Sequence, residues 1–198
     1  MKMKKIVSIA VSALLLVSIA AAGAFAAEVG PSSPTSEDKD TGTVNVSISG
    51  TGDVENLQVS AAATEASTAQ ENELKSKGAV GYLGNQSASS AAGILGVSTD
   101  RLTINSIKEL SVSGYDAKMA NVTVKVPFAA LPAEGTRVAV LVRLSSGSDV
   151  VLDGVVVEDT VTSNGVTSKV RKVQFTMNSA TVASVQAGTA FVAAVTVK

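Results

Sequence analysis

Asp149 and Asp153 stand four residues apart, spaced to share one face of a strand, and Glu158 and Asp159 follow them. Hard cations such as calcium need several oxygen ligands, so Asp149 and Asp153 are the candidate metal ligands. A single β face supplies too few oxygens, and closely spaced acids around a turn glycine are missing. Solvated charges are the simpler reading, and no metal is expected. Asp38, Asp40 and Gly42 echo a calcium loop only until Thr43 and Val44 fall on the next ligand positions.

Other chemistry is narrowed by what the chain lacks. It has no Cys, His or Trp in 198 residues. That removes disulfides, thiol nucleophiles, zinc-thiolate sites and every imidazole base. Ser36 and Lys39 have the Ser-x-x-Lys spacing of some acyl-transfer enzymes, but that chemistry needs a desolvated lysine, and this pair sits in a Pro/Ser-rich stretch. A hydrolase working through two carboxylates is not excluded by spacing, because such acids come from distant strands. Sugar sites also want aromatic platforms. Beyond residue 26 only Tyr82, Tyr115, Phe128, Phe175 and Phe191 are aromatic, and most fall where core residues belong. Tyr115, in the turn Gly114-Tyr115-Asp116, is the candidate ligand contact; the alternative is a tyrosine packed over the edge of the fold. No catalytic residue and no cofactor is expected.

One covalent possibility remains. Some surface β domains carry an internal Lys–Asn or Lys–Asp isopeptide bond, which requires a buried lysine. Lys125 and Lys172 are the candidates, and alternation puts both on outward faces.

The elements that would position these residues begin after an export signal. Lys2, Lys4 and Lys5 precede an apolar run, and Ala24-Phe25-Ala26 closes it with small residues at the positions a signal peptidase reads. Cleavage is expected between Ala26 and Ala27. Ile6 to Ala22 is 17 residues, at the short edge of a membrane span, so a retained anchor is the alternative. Those three lysines are the only charges before residue 27, leaving 13 basic and 17 acidic residues, net −4. A net acidic chain is a poor partner for nucleic acid or anionic lipid. After cleavage, no membrane association is expected.

Residues 1–26 are thus read as signal helix, 27–42 as a flexible linker, and 43–198 as the folded region. Within it, Val44, Val46 and Ile48 alternate with polar residues as a half-buried strand does. A turn at Gly50–Asp53 is expected to return the chain through Val54–Ser60 as a hairpin, with Leu57 and Val59 inward. An Ala/Ser-rich insertion follows, with a helix around Ala63–Lys77, a shorter one at Ser87–Leu95, and glycines at 78, 81, 84, 93 and 96 as breaks. A bulge is expected near Ser106, where the alternation of Leu102 and Ile104 slips before Leu110 and Val112. Val122, Val124, Val126 and Phe128 form the cleanest strand. Val138–Leu144, apolar on both faces, is read as central. Asn164-Gly165 marks a hairpin, Ala180–Gln186 a short helix, and Phe191–Val197 the closing strand. Valine supplies 20 of the last 77 residues, a density that favours sheet over helix. The fold class is mainly β, a β-sandwich of regular short strands.

The run from Lys108 to Lys198, the C-terminal β module following N-terminal strands in 43–107, carries a recognisable order: KELSVSG, VTVKVPF, VAVLVRL, DVVLDGVVV, KVQFTMNSATVA and FVAAVTV. It resembles immunoglobulin-like β-sandwich modules at the C-terminal ends of secreted Gram-positive proteins. That resemblance implies a non-catalytic extracellular domain and transfers no functional residue. The expected function is a secreted structural or adhesion module at the bacterial surface, whose partners are other surface proteins or extracellular polysaccharide. The alternative is an extracellular carbohydrate- or small-ligand-binding module using Tyr115 and the Leu131–Gly135 loop.

Overall fold

Strand alternation dominates the architecture. A computed structural model of the chain describes residues 33–38, 42–50, 56–163 and 166–198. The expected signal segment with its Ala26–Ala27 cleavage point, the turn at 51–53 and the Asn164-Gly165 turn lie outside them. The elements are β1 (Ser33–Asp38), β2 (Gly42–Gly50), β3 (Gln58–Ala62), α1 (Glu65–Leu95), β4 (Leu102–Ser113), β5 (Met119–Pro127), β6 (Arg137–Arg143), β7 (Asp149–Ser163), β8 (Val166–Asn178), α2 (Ser179–Gln186) and β9 (Ala190–Val197).

The mainly β expectation holds. The strands hydrogen-bond in one order, β1-β2-β5-β8-β7-β6-β9-β4-β3, and every described pairing is antiparallel. β3, at one end of that order, also passes close to β1 and β2 at the other. The sheet is therefore nearly closed, which leaves little unpaired edge. Where a sandwich was expected, the ladder runs through every neighbour.

Two apolar layers follow from the alternation. The interior is filled from every strand between β2 and β9, for example by Val44, Leu110, Val124, Val140, Val173 and Val192. α2 adds Val182 and Val185 to it. Asn178 caps that helix by accepting a hydrogen bond from the Thr181 amide at 2.9 Å. On the outside, α1 lays Tyr82, Leu83, Ala88, Ala91 and Ala92 against Leu102, Ile104, Ile107, Ala139, Leu141, Ala193 and Val195. β6 feeds both layers, with Val138, Val140 and Val142 inward and Ala139 and Leu141 under the helix. It is the doubly covered central strand its sequence predicts. Alanines at 139 and 193 leave room for the helix to approach.

The helical insertion is one element of 31 residues broken at two glycines, Gly78 (φ 68°) and Gly84 (φ 72°). Its first segment ends and its last segment stops where the sequence places them, and a short third piece with Tyr82 and Leu83 lies between. Thr64 and Ser67 form a reciprocal cap at the start, and Gly96 in the left-handed region ends it. The bulge falls between Ile104 and Ile107. There the Ile107 amide donates to Glu71 Oε1 of α1 at 3.3 Å, so the helix satisfies a donor that the ladder releases.

Two local expectations change. Ser33–Asp38, read as linker, forms an edge strand against β2. An edge strand needs backbone partners on one side only, so proline and polar residues are tolerated there. Leu57 and Val59 do point inward, but β3 ladders with β4 and β2 ladders with β1 and β5. Alternation fixes which face is buried, not which strand lies alongside. Gly114 (φ 72°) allows this docking, because a Cβ there would collide with the Asn56 carbonyl.

Candidate functional site

The two candidate metal ligands are taken by arginines of the neighbouring strand. β6 and β7 pair Arg143 with Asp149 and place Arg137 near Asp153. Arg143 donates to both oxygens of Asp149, Nε to Oδ1 at 2.9 Å and Nη2 to Oδ2 at 3.1 Å. Arg137 does the same to Asp153 at 2.8 and 2.7 Å. These bonds hold the Asp153 carboxyl below its ordinary value, while the Arg137 and Arg143 guanidinium groups are held above theirs by their carboxylate partners. Glu158 accepts from Lys169 and Arg171, each at 3.3 Å, and is likewise held low. Among the described residues no group of three or more acids is placed to share a metal ion.

Arg143 belongs to a larger cluster that fastens α1 to the sheet. Its guanidinium lies 4.1 Å from the centre of the Tyr82 ring and donates to the Tyr82 carbonyl at 2.7 Å. The Tyr82 hydroxyl donates to Gln70 Oε1 at 2.9 Å, and Ser87 donates to Asp149 at 3.3 Å. Burial pushes the Tyr82 phenol up to about 12, against the opposing pull of Arg143.

Tyr115 packs partly buried against the interior core. Its hydroxyl donates to the Met119 carbonyl at 3.0 Å, and its amide donates to Gln186 Oε1 of α2 at 2.7 Å. This is the tyrosine packed over the edge of the fold. Ser36 lies on β1, and Lys39 lies outside the described residues.

A second polar cluster on the outer face is one that spacing did not reveal. Lys125 of β5, Asp159 of β7, Lys172 of β8 and Asn45 of β2 converge. Lys125 Nζ donates to Asp159 Oδ1 at 2.9 Å, and Lys172 Nζ lies 3.3 Å from Asp159 Oδ2. Lys172 Nζ also donates to Asn45 Oδ1 at 2.6 Å. Lys172 faces away from the interior, as alternation requires beside Val173, yet it is only 1% exposed. The outward face expected for Lys172 holds, but outward is a direction only, and burial depends on what covers the face. Burial depresses the Lys172 ammonium below its ordinary value, more than the neighbouring Asp159 charge restores it. Burial pushes Asp159 up, but the hydrogen bond and charge of Lys125, with the charge of Lys172, hold it lower than usual.

Elsewhere on the outer face an open depression of about 580 Å³ over Gly154 is lined by Arg137, Asp153, Gln174 and Thr176. Comparison with protein-family models, with curated proteins and with solved structures finds no match.

Proposed function

We propose that the chain is a secreted, non-catalytic β protein that serves as a structural or interaction module at or outside the bacterial cell surface. The observation that carries this reading is the use made of its polar groups. Among the described residues no buried side-chain nitrogen or oxygen lacks a hydrogen-bond partner. The candidate site residues join one element to another: Asp149 and Asp153 hold β7 to β6, and Tyr115 ties its turn to α2 and Met119. The basic and apolar start of the chain, with alanines at 24 and 26, supports export. The same reading takes the Lys108–Lys198 run as similar to immunoglobulin-like sandwiches of secreted Gram-positive proteins, on the order of its strands. The ligand-binding alternative draws less support, since the Tyr115 hydroxyl is engaged by backbone.

Expression of the full chain in a Gram-positive host, followed by fractionation and N-terminal sequencing, tests the proposal. A chain beginning at Ala27 in the medium or wall fraction supports it. A chain retained in the cytosol with residues 1–26 intact refutes it.

A further inference from the structure

We propose that Lys172 and Asn45 become joined by an intramolecular isopeptide bond, formed with loss of ammonia and assisted by Asp159. The three side chains come from three strands and meet on the outer face, with Lys172 reaching across β5 to β2. Lys172 Nζ is 2.6 Å from Asn45 Oδ1. The amide carbon is one C=O bond beyond that oxygen, so it lies within about 3.8 Å of the amine, near the range of an attack geometry.

The charge balance of the site favours the reaction. Among the described residues, two lysines share the Asp159 carboxylate, and one of those lysines is 1% exposed. A surplus buried cation is costly. Converting Lys172 to an amide removes that surplus and leaves Lys125 and Asp159 as a matched pair. Burial already favours the neutral amine that is the nucleophile.

The step balances without any co-reactant. The Lys172 ammonium gives one proton to Asp159 and its nitrogen lone pair adds to the Asn45 amide carbon. The C=O π electrons move to Oδ1, giving a tetrahedral centre. Asp159 passes its proton to Nδ2, the C–N bond to Nδ2 breaks as the carbonyl re-forms, and ammonia leaves. The second surplus proton on Nζ goes to Asp159 and then to the departing ammonia, which exits as ammonium. No atom is oxidised or reduced. Lys125, 2.9 Å from Asp159, holds the carboxylate in place. The product staples β2 to β8, residues 127 apart in sequence, in a chain that has no cysteine with which to form a disulfide.

The test is the intact mass of the purified full-length chain under denaturing conditions, with its N-terminus determined and its peptides mapped. The expected result is a mass one ammonia below that calculated, with the Asn45 peptide covalently joined to the Lys172 peptide. Lys172→Met, which keeps the apolar stem, and Asn45→Ala should each restore the calculated mass. Asp159→Asn should slow bond formation about a hundredfold or more, as loss of a proton carrier does. A calculated mass in wild-type protein that unfolds cooperatively would overturn the proposal. So would an ammonia loss that maps to Lys125 or to a residue outside this cluster. Unchanged crosslinking in Asp159→Asn would remove Asp159 from the mechanism.

Discussion

Arg143 stacks its guanidinium 4.1 Å from the centre of the Tyr82 ring while donating to the carbonyl of the same residue at 2.7 Å. The two contacts, with the bidentate bond to Asp149, make this arginine the polar joint between α1 and the β6–β7 hairpin. Elsewhere the helix meets the sheet through an apolar layer rich in alanine and is tied to β4 by the Glu71 bond to the Ile107 amide and the Thr64 bond to Glu109.

Arg143→Ala should therefore destabilise the fold by about 2–3 kcal/mol, slightly below the cost of breaking a fully buried pair, because the two side chains are 18% and 12% exposed. Arg143→Lys should recover less than half of this. It keeps the charge but loses the fork and the planar stack. Urea unfolding gives the stability, and tyrosine fluorescence quenching reports whether Tyr82 becomes accessible. Equal stability of Arg143→Ala and wild type would show that the joint contributes nothing.

Tyr82 makes the alkaline limit of the fold measurable. Its phenol is raised from an ordinary 10.0 to about 12, chiefly by burial. A raised value means that the folded state holds the proton more tightly, so this contribution is complete below pH 10 and is lost as pH rises toward 12. The linkage is worth roughly 2–3 kcal/mol. Phenolate absorbance should show Tyr82 ionising late, together with unfolding, and Tyr82→Phe should abolish that phase. Ionisation of Tyr82 near pH 10 in folded protein would contradict its burial.

The acid limb runs in the opposite sense. Asp153 and Glu158 are held below their ordinary values of 3.8 and 4.5, Asp153 by Arg137 and Glu158 by Lys169 and Arg171. Depressed carboxylates stabilise the fold above their unfolded values and cease to do so as pH falls through the folded ones. Stability should be level from neutrality to about pH 5 and decline below it. Both pairs face solvent, so the decline should be small and should flatten further in high salt. Urea midpoints measured across this range at two salt concentrations check it.

Much of the fold was legible in the chain. Val138–Leu144 reads as doubly covered because no polar residue interrupts it before Arg143, and the layers on either side of β6 have that composition. Gly78 was legible as a break because a positive φ is cheap only without a Cβ. The partner of β3 was not legible, since Leu57 and Val59 would be inward beside β2 or β4 alike. The Lys172 cluster was hidden for a related reason. Alternation places Lys125, Asp159 and Lys172 on the outer face, but their meeting with Asn45 depends on β2, β5, β8 and β7 lying side by side. No local spacing encodes that neighbourhood across 127 residues.

The glycines separate conformational need from mere presence. Gly154 sits on β7 where an added Cβ would come within 2.9 Å of Val140 Cγ2 and 3.0 Å of Val173 Cγ1. Those are inward-facing methyls of the strand before it and the strand after it, so the interior has no room at this point. Gly154→Val should cost about 1–3 kcal/mol by overpacking. Gly78 has open space around its Cβ position but a φ of +68°, so Gly78→Ala should cost about 1 kcal/mol through backbone strain alone. Gly93 lies in the helical segment with nothing within 4 Å, and Gly93→Ala should stabilise the protein by about 0.5–1 kcal/mol. Three alanine or valine substitutions at glycine thus carry two signs and three causes. Thermal unfolding of all three under one buffer decides them, and a destabilised Gly93→Ala would mean that α1 does not continue through that residue as a helix.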